Sequence, residues 1–114
     1  MPNENRLHRI ESLIQEELAK IIEVEYEDLH KTLTTITGVN VSADLSFAKI
    51  YIVTHHEKGA KEIVKFLNSE QKFLRHELAS QIKLRKTPEL HFYYDDSIAT
   101  GERIEQLLEH NKTK

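Results

Sequence analysis

The sequence predicts a single α+β domain, and two periodicities carry that prediction. Near the N-terminus, apolar residues recur at three- and four-residue steps (Leu7, Ile10, Ile14, Leu18 and Ile21), the spacing of one helical face. In the middle they alternate instead, at Val39, Val41 and Ala43 and again at Ala48, Ile50 and Ile52, the spacing of half-buried strands. The 114 residues, 39% hydrophobic and 31% charged, match the length and composition of one globular domain.

The elements follow in order. "RLHRIESLIQEELAKIIEVE" is an amphipathic helix, and "EYEDLHK" ends it without a strong stop signal. "TLTTITGVNVSADLSFAKIYIVTHH" gives two antiparallel strands, a hairpin turned at Asp44 and Ser46. Ile36 is out of phase with Val39, which predicts a register-shifting bulge at Gly38 between them. Ala60, Ile63, Val64 and Leu67 mark a second helix. Asn68 and Gln71 have the spacing of a capping box, so a further helix could begin there, with Leu74, Leu78 and Ile82 as its apolar stripe. Pro88 disfavours helical backbone at Thr87 and closes the segment. "ELHFYYD" is a strand, with Leu90, Phe92 and Tyr94 on one face and His91 and Tyr93 on the other. "DDS" caps a last helix marked by Ile98, Ile104, Leu107 and Leu108, and the final residues fray. The order is α-β-β-α-α-β-α.

Composition removes several classes of function. With no cysteine, disulfides, zinc–thiolate sites and thiol catalysis are excluded. No apolar run approaches the roughly 20 residues of a membrane span. The start, "MPNENRLHRIES", has no apolar core of a signal peptide, so a cytoplasmic chain is expected. Three glycines leave little room for a phosphate-cradling loop, and no nucleophile elbow or dinucleotide fingerprint occurs. His55 and His56 are adjacent on a strand end and point to opposite faces, which makes a poor chelate; no metal or other cofactor is implied. Asp95 and Asp96 fit helix caps better than an acid pair. Tyr93 and Tyr94 could stack on bases, although strand aromatics more often pack. No enzyme is expected.

Charge is the remaining signal. The net charge is −3, yet Lys72, Arg75, Lys83, Arg85 and Lys86 fall within fifteen residues whose single acid is Glu77. On a continuous helix Lys72, Arg75, His76, Lys83 and Lys86 would share a sector of about 100°. A helix with one apolar and one cationic face suits phosphate tracking. Arg6 and Arg9 add cations to the first helical turn, where they oppose the helix dipole.

From about Arg6 to Leu108 the chain resembles the ribosome-binding factor A family. The resemblance rests on "RLHRI" with "IQEELAKII", then "TTITGVNVSADLSFAKIYI", "FLRHELASQIKLRKTPELHFYYDDS" and "GERI". It implies one type II KH-like domain over 1–114, with core about 6–108 and a three-stranded sheet carrying its helices on one face. The family lacks the GXXG loop of KH domains and often has an A-x-G kink; Glu70-Gln71-Lys72 stand there in this chain. The implied function is non-catalytic: binding of the immature 30S subunit through 16S rRNA, late maturation including 5′-end processing, and cold adaptation. A monomer, with release promoted by a ribosome-maturation GTPase, goes with it. Phosphate contacts are then expected at Lys72, Arg75, Lys83, Arg85 and Lys86, with Arg6 and Arg9 outermost. The alternative is a small protein-interaction adaptor that adds a strand at its open hairpin edge.

Overall fold

The computed structural model describes residues 2–31, 34–55 and 59–96. Helix α1 spans Pro2–Glu25, and a five-residue helix α2, Glu27–Lys31, follows it after a break at Tyr26. Strands β1 (Thr35–Val41) and β2 (Phe47–Val53) form the hairpin. Helices α3 (Ala60–Ser69) and α4 (Gln71–Gln81) precede strand β3 (Glu89–Tyr94). The sheet order is β1-β2-β3, antiparallel between β1 and β2 and parallel between β2 and β3. A parallel neighbour requires a crossover, and α3 and α4 supply it.

Alternation decides which sheet face is dry. Ala48, Ile50 and Ile52 of β2 and Leu90 and Phe92 of β3 are at most 1% exposed. They meet Ile14, Leu18, Ile21 and Ile22 of α1, Ile63 and Leu67 of α3, and Leu74 and Leu78 of α4 in one core. Helix α1 lies over β1 and against α4, while α3 and α4 lie over β3. The other sheet face carries Phe47, Lys49, Tyr51, His91 and Tyr93, all exposed or half-buried. Across it Phe47 meets His91 edge-on and Tyr51 lies 5.8 Å from Tyr93.

The register shift falls between Ile36 and Gly38, where it was expected, and it brings Ile36 and Val39 to the same buried side. Thr37, at the bulge, donates its hydroxyl to the Asp95 carboxylate and to the Tyr51 carbonyl, linking the bulge to the end of β3. The alternation at Ala43 runs past the end of β1: Ala43 is exposed in the turn. The described residues end at Asp96, so the final helix lies outside them; of its expected caps, Asp95 accepts from Thr37 and Ser97 is outside.

Two helices meet at one residue. Glu70 (φ −97°, ψ 7°) ends α3 and begins α4, and its amide bonds back to Phe66 and Leu67. The expected capping box is not formed. Asn68 Oδ1 accepts from the Phe92 amide at 2.8 Å and its Nδ2 donates to the Phe92 carbonyl at 3.0 Å. Gln71 Oε1 accepts from the Leu90 amide at 3.4 Å. These side chains therefore cover the outer edge of β3. On the other side, Glu11 accepts from the Val41 amide at 2.9 Å and Gln15 donates to the Ile36 carbonyl at 3.0 Å, which engages β1 in the same way.

Replacing Asn68 with Ala should cost about 1–3 kcal/mol, because Phe92 loses both partners. Asp at this position would keep an N-cap but lose the amide donor. Equal chemical-denaturation midpoints for wild type and Asn68→Asp would therefore restore the capping reading; both variants are expected to melt earlier.

Candidate nucleic-acid interface

Helix α4 stops at Gln81, since Ile82 is extended (φ −124°, ψ 128°) while its side chain stays in the core at 5% exposure. Lys83 and Lys86 are consequently in a loop, and the shared helical sector predicted for them with Lys72 and Arg75 does not form. Pro88 is not what ends the helix; the chain leaves it six residues earlier to bring Leu84 and Pro88 onto the core.

Arg75 holds that loop. Its Nε and Nη2 both donate to the Thr87 carbonyl, at 3.1 and 2.8 Å, from a half-buried side chain. Its guanidinium is thus engaged in bracing the chain between α4 and β3. Lys72 is exposed on the first turn of α4, about 15 Å of helix axis away from the loop.

What the fold does bring together comes from opposite ends of the chain. Arg6, Arg85 and Lys86 line one open cleft of about 260 Å³, with Leu7, Ile10 and Leu45 as apolar lining and Ala43 and Asp44 completing it. Three cations over an apolar floor can hold a phosphate and the sugar or base beside it. Arg9 is exposed on α1 one turn from Arg6, and Lys83 is exposed in the same loop as Arg85. Sequence reasoning missed Leu7, Ile10 and Leu45 as cleft residues because the first two also carry the helical apolar spacing of the core.

The β1–β2 turn is fixed locally. Leu45 takes a left-handed conformation (φ 60°), which costs a non-glycine residue about 1–2 kcal/mol. Asp44 compensates as a hub: its carboxylate accepts from Ser42 Oγ at 2.8 Å, Ser46 N at 3.0 Å and Ser46 Oγ at 2.6 Å. The turn is tied to the start of β3 by Glu89 N to the Ser46 carbonyl at 3.0 Å and to the basic loop by Lys86 Nζ to Ser46 Oγ at 3.5 Å.

Hydrogen bonds from Ser46 and Ser42, then the charge of Lys86, lower the Asp44 carboxyl from 3.8 to about 2. A depressed carboxyl stabilises the fold fully above its ordinary pKa, and that contribution fades as pH falls through the folded value. The turn should accordingly hold at pH 4 and loosen towards pH 2. An NMR titration of the Asp44 carboxyl carbon checks this, and a midpoint near 4 would show that the serines do not hold the charged form.

Among the described residues no helix is long and apolar enough to cross a membrane. Residues 6–108 match the family model described as ribosome-binding factor A. Over 108 residues the chain is 44% identical to the ribosome-binding factor A of Pseudomonas fluorescens strain Pf-5, covering 92% of this chain and 81% of that protein. It is 40% identical to that of Dichelobacter nodosus, covering 93% and 88%. The crystal structure of ribosome-binding factor A from Thermus thermophilus superposes with a TM-score of 0.68 at 25% identity, covering 77% of this chain and 94% of that one. The solution structure of a Thermotoga maritima protein superposes with a TM-score of 0.65 at 28% identity, covering 77% and 85%.

Proposed function

Because the chain belongs to the ribosome-binding factor A family, we propose that it binds the small ribosomal subunit as a non-catalytic assembly factor. Its target is the immature 30S particle, engaged through 16S rRNA; its task is late maturation, including 5′-end processing, with the greatest consequence in cold growth. It acts as a cytoplasmic monomer of KH-like type, and a ribosome-maturation GTPase promotes its release.

The observation that carries this reading is the cleft shared by Arg6, Arg85 and Lys86 in a chain of net charge −3. Cations concentrated there, against an acidic background, localise phosphate binding. Phosphate contacts are assigned first to these three, with Arg9 and Lys83 beside them; Lys72 stands apart and Arg75 acts through the loop that it braces. The adaptor reading is disfavoured by the engagement of backbone groups at both outer strands by Glu11, Gln15, Asn68 and Gln71.

Gradient sedimentation tests the reading. The protein should travel with free small subunits in a salt-sensitive way and be absent from mature ribosomes. Binding that survives ribonuclease and responds only weakly to salt would point to the adaptor instead.

A further inference from the structure

At the far end of α1 from the cationic cleft, about 30 Å along the axis, the surface has the opposite character. Phe66, Glu70, Phe73 and Glu77 recur at steps of four, three and four, so they form one stripe across the α3–α4 junction. Tyr26 packs on it, edge-on to Phe66 at 5.5 Å and to Phe73 at 6.3 Å, and its hydroxyl donates to Glu70 Oε1 at 2.8 Å. Both phenylalanines remain outside the core, 41% and 39% exposed. An open groove of about 450 Å³ continues from Phe66, lined also by Glu25, Tyr26, Glu27, Asp28 and Leu29; Phe73 borders it through Tyr26.

The lining of the groove carries three acids, Glu25, Glu27 and Asp28, and no lysine or arginine. Burial, the bond to Glu70, and the charges of Glu70, Glu25 and Glu77 together hold the Tyr26 hydroxyl well above the usual phenol range. Among the described residues, Glu25, Glu27, Asp28 and Glu77 form no ion pair. Helix-dipole complementarity accounts for Glu27 and Asp28 in the first turn of α2. It does not account for Glu77, which lies mid-helix, or for two exposed phenylalanine rings next to the acids.

We propose that this aromatic groove docks an arginine-rich segment of a protein partner. A guanidinium is flat and weakly hydrated, stacks on aromatic faces and pairs with carboxylates through two parallel bonds, so it suits both halves of the groove. A nucleic-acid strand would place phosphates against the three carboxylates that line the groove, Glu25, Glu27 and Asp28. An acidic peptide would be repelled likewise, and lysine would pair but stack less well. The proposal is independent of the RNA reading, since no residue is shared with the cationic cleft.

The test is an NMR titration of the full isotope-labelled chain with a short synthetic peptide of arginine, glycine and leucine repeats. Lysine-for-arginine and glutamate-for-arginine peptides and a single-stranded RNA oligonucleotide run in parallel. The arginine peptide should shift the amides of Tyr26, Leu29, Phe66 and Phe73, bind more tightly than the lysine peptide, and lose affinity with salt. Phe73→Ala should weaken it roughly tenfold, and Glu27→Gln with Asp28→Asn should weaken it by a similar factor and flatten the salt dependence. All three side chains are exposed, and unchanged melting of the variants verifies that they fold. Three results would overturn the proposal: equal affinity in wild type and variants, shifts confined to other surfaces, or the RNA oligonucleotide shifting the same amides. A fourth is self-association of the free protein that Phe73→Ala abolishes, which would make a second copy the occupant.

Discussion

Reversal of Arg85 and Lys86 together to glutamate is expected to weaken small-subunit binding roughly 100-fold, at about 1.5 kcal/mol for each charged contact. The slope of log affinity against log salt should fall by roughly two, as two phosphate contacts are lost. Both side chains are exposed, and Lys86 gives up only a 3.5 Å bond to Ser46 Oγ, so the melting midpoint should fall slightly while the domain stays folded. Lys72→Glu is the internal contrast. Its charge lies at the other end of α4, and binding should change far less. Arg75→Glu differs again: it removes the bonds to the Thr87 carbonyl, so its primary effect should be on stability. Unchanged affinity and salt slope in the Arg85, Lys86 double variant would remove the cleft from the interface.

The largest effect on folding should come from Phe92→Ala. Phe92 is 1% exposed at the centre of the core face of β3, and its backbone is the part of the strand held by Asn68. Truncation should cost about 3–5 kcal/mol, at least about a fifth of the roughly 5–15 kcal/mol that keeps a domain folded. For a chain of this size the melting midpoint should drop by about 15 °C or more. Tyr93→Ala, one residue on and facing the other way at 43% exposure, should change it little. Comparable losses for the two would mean that the open sheet face is covered more than its exposure indicates.

Much of this architecture was legible from local pattern. The three- and four-residue apolar steps placed α1, α3 and α4, and the two-residue alternation placed β2 and β3 with the correct face inward. The out-of-phase pair Ile36 and Val39 located the bulge. Most of the failures share one cause: a side chain or backbone group has a partner distant in sequence. Asn68 and Gln71 have the spacing of a helix cap, yet they bond to β3. The helical arrangement of the cations continued through Ile82 because that residue keeps the apolar step, although its backbone has already become extended. Arg75 looked free for a ligand until Thr87 came within reach. Helix α2 escaped because five residues hold too little periodicity to register. The meeting of Arg6 with Arg85 and Lys86 had no local signature, since it depends on α1 and α4 running side by side.

The covering of the two outer strands has a colloidal consequence. Strand edges with free amides and carbonyls let copies of a protein zip together, and a small sheet with two edges is exposed to that hazard on both sides. Here five such groups, the Val41 and Leu90 amides, the Ile36 carbonyl and both groups of Phe92, already have side-chain partners from the helices. These three side-chain amides and one carboxylate thus reduce the number of backbone groups along β1 and β3 open to another copy, a protection independent of net charge.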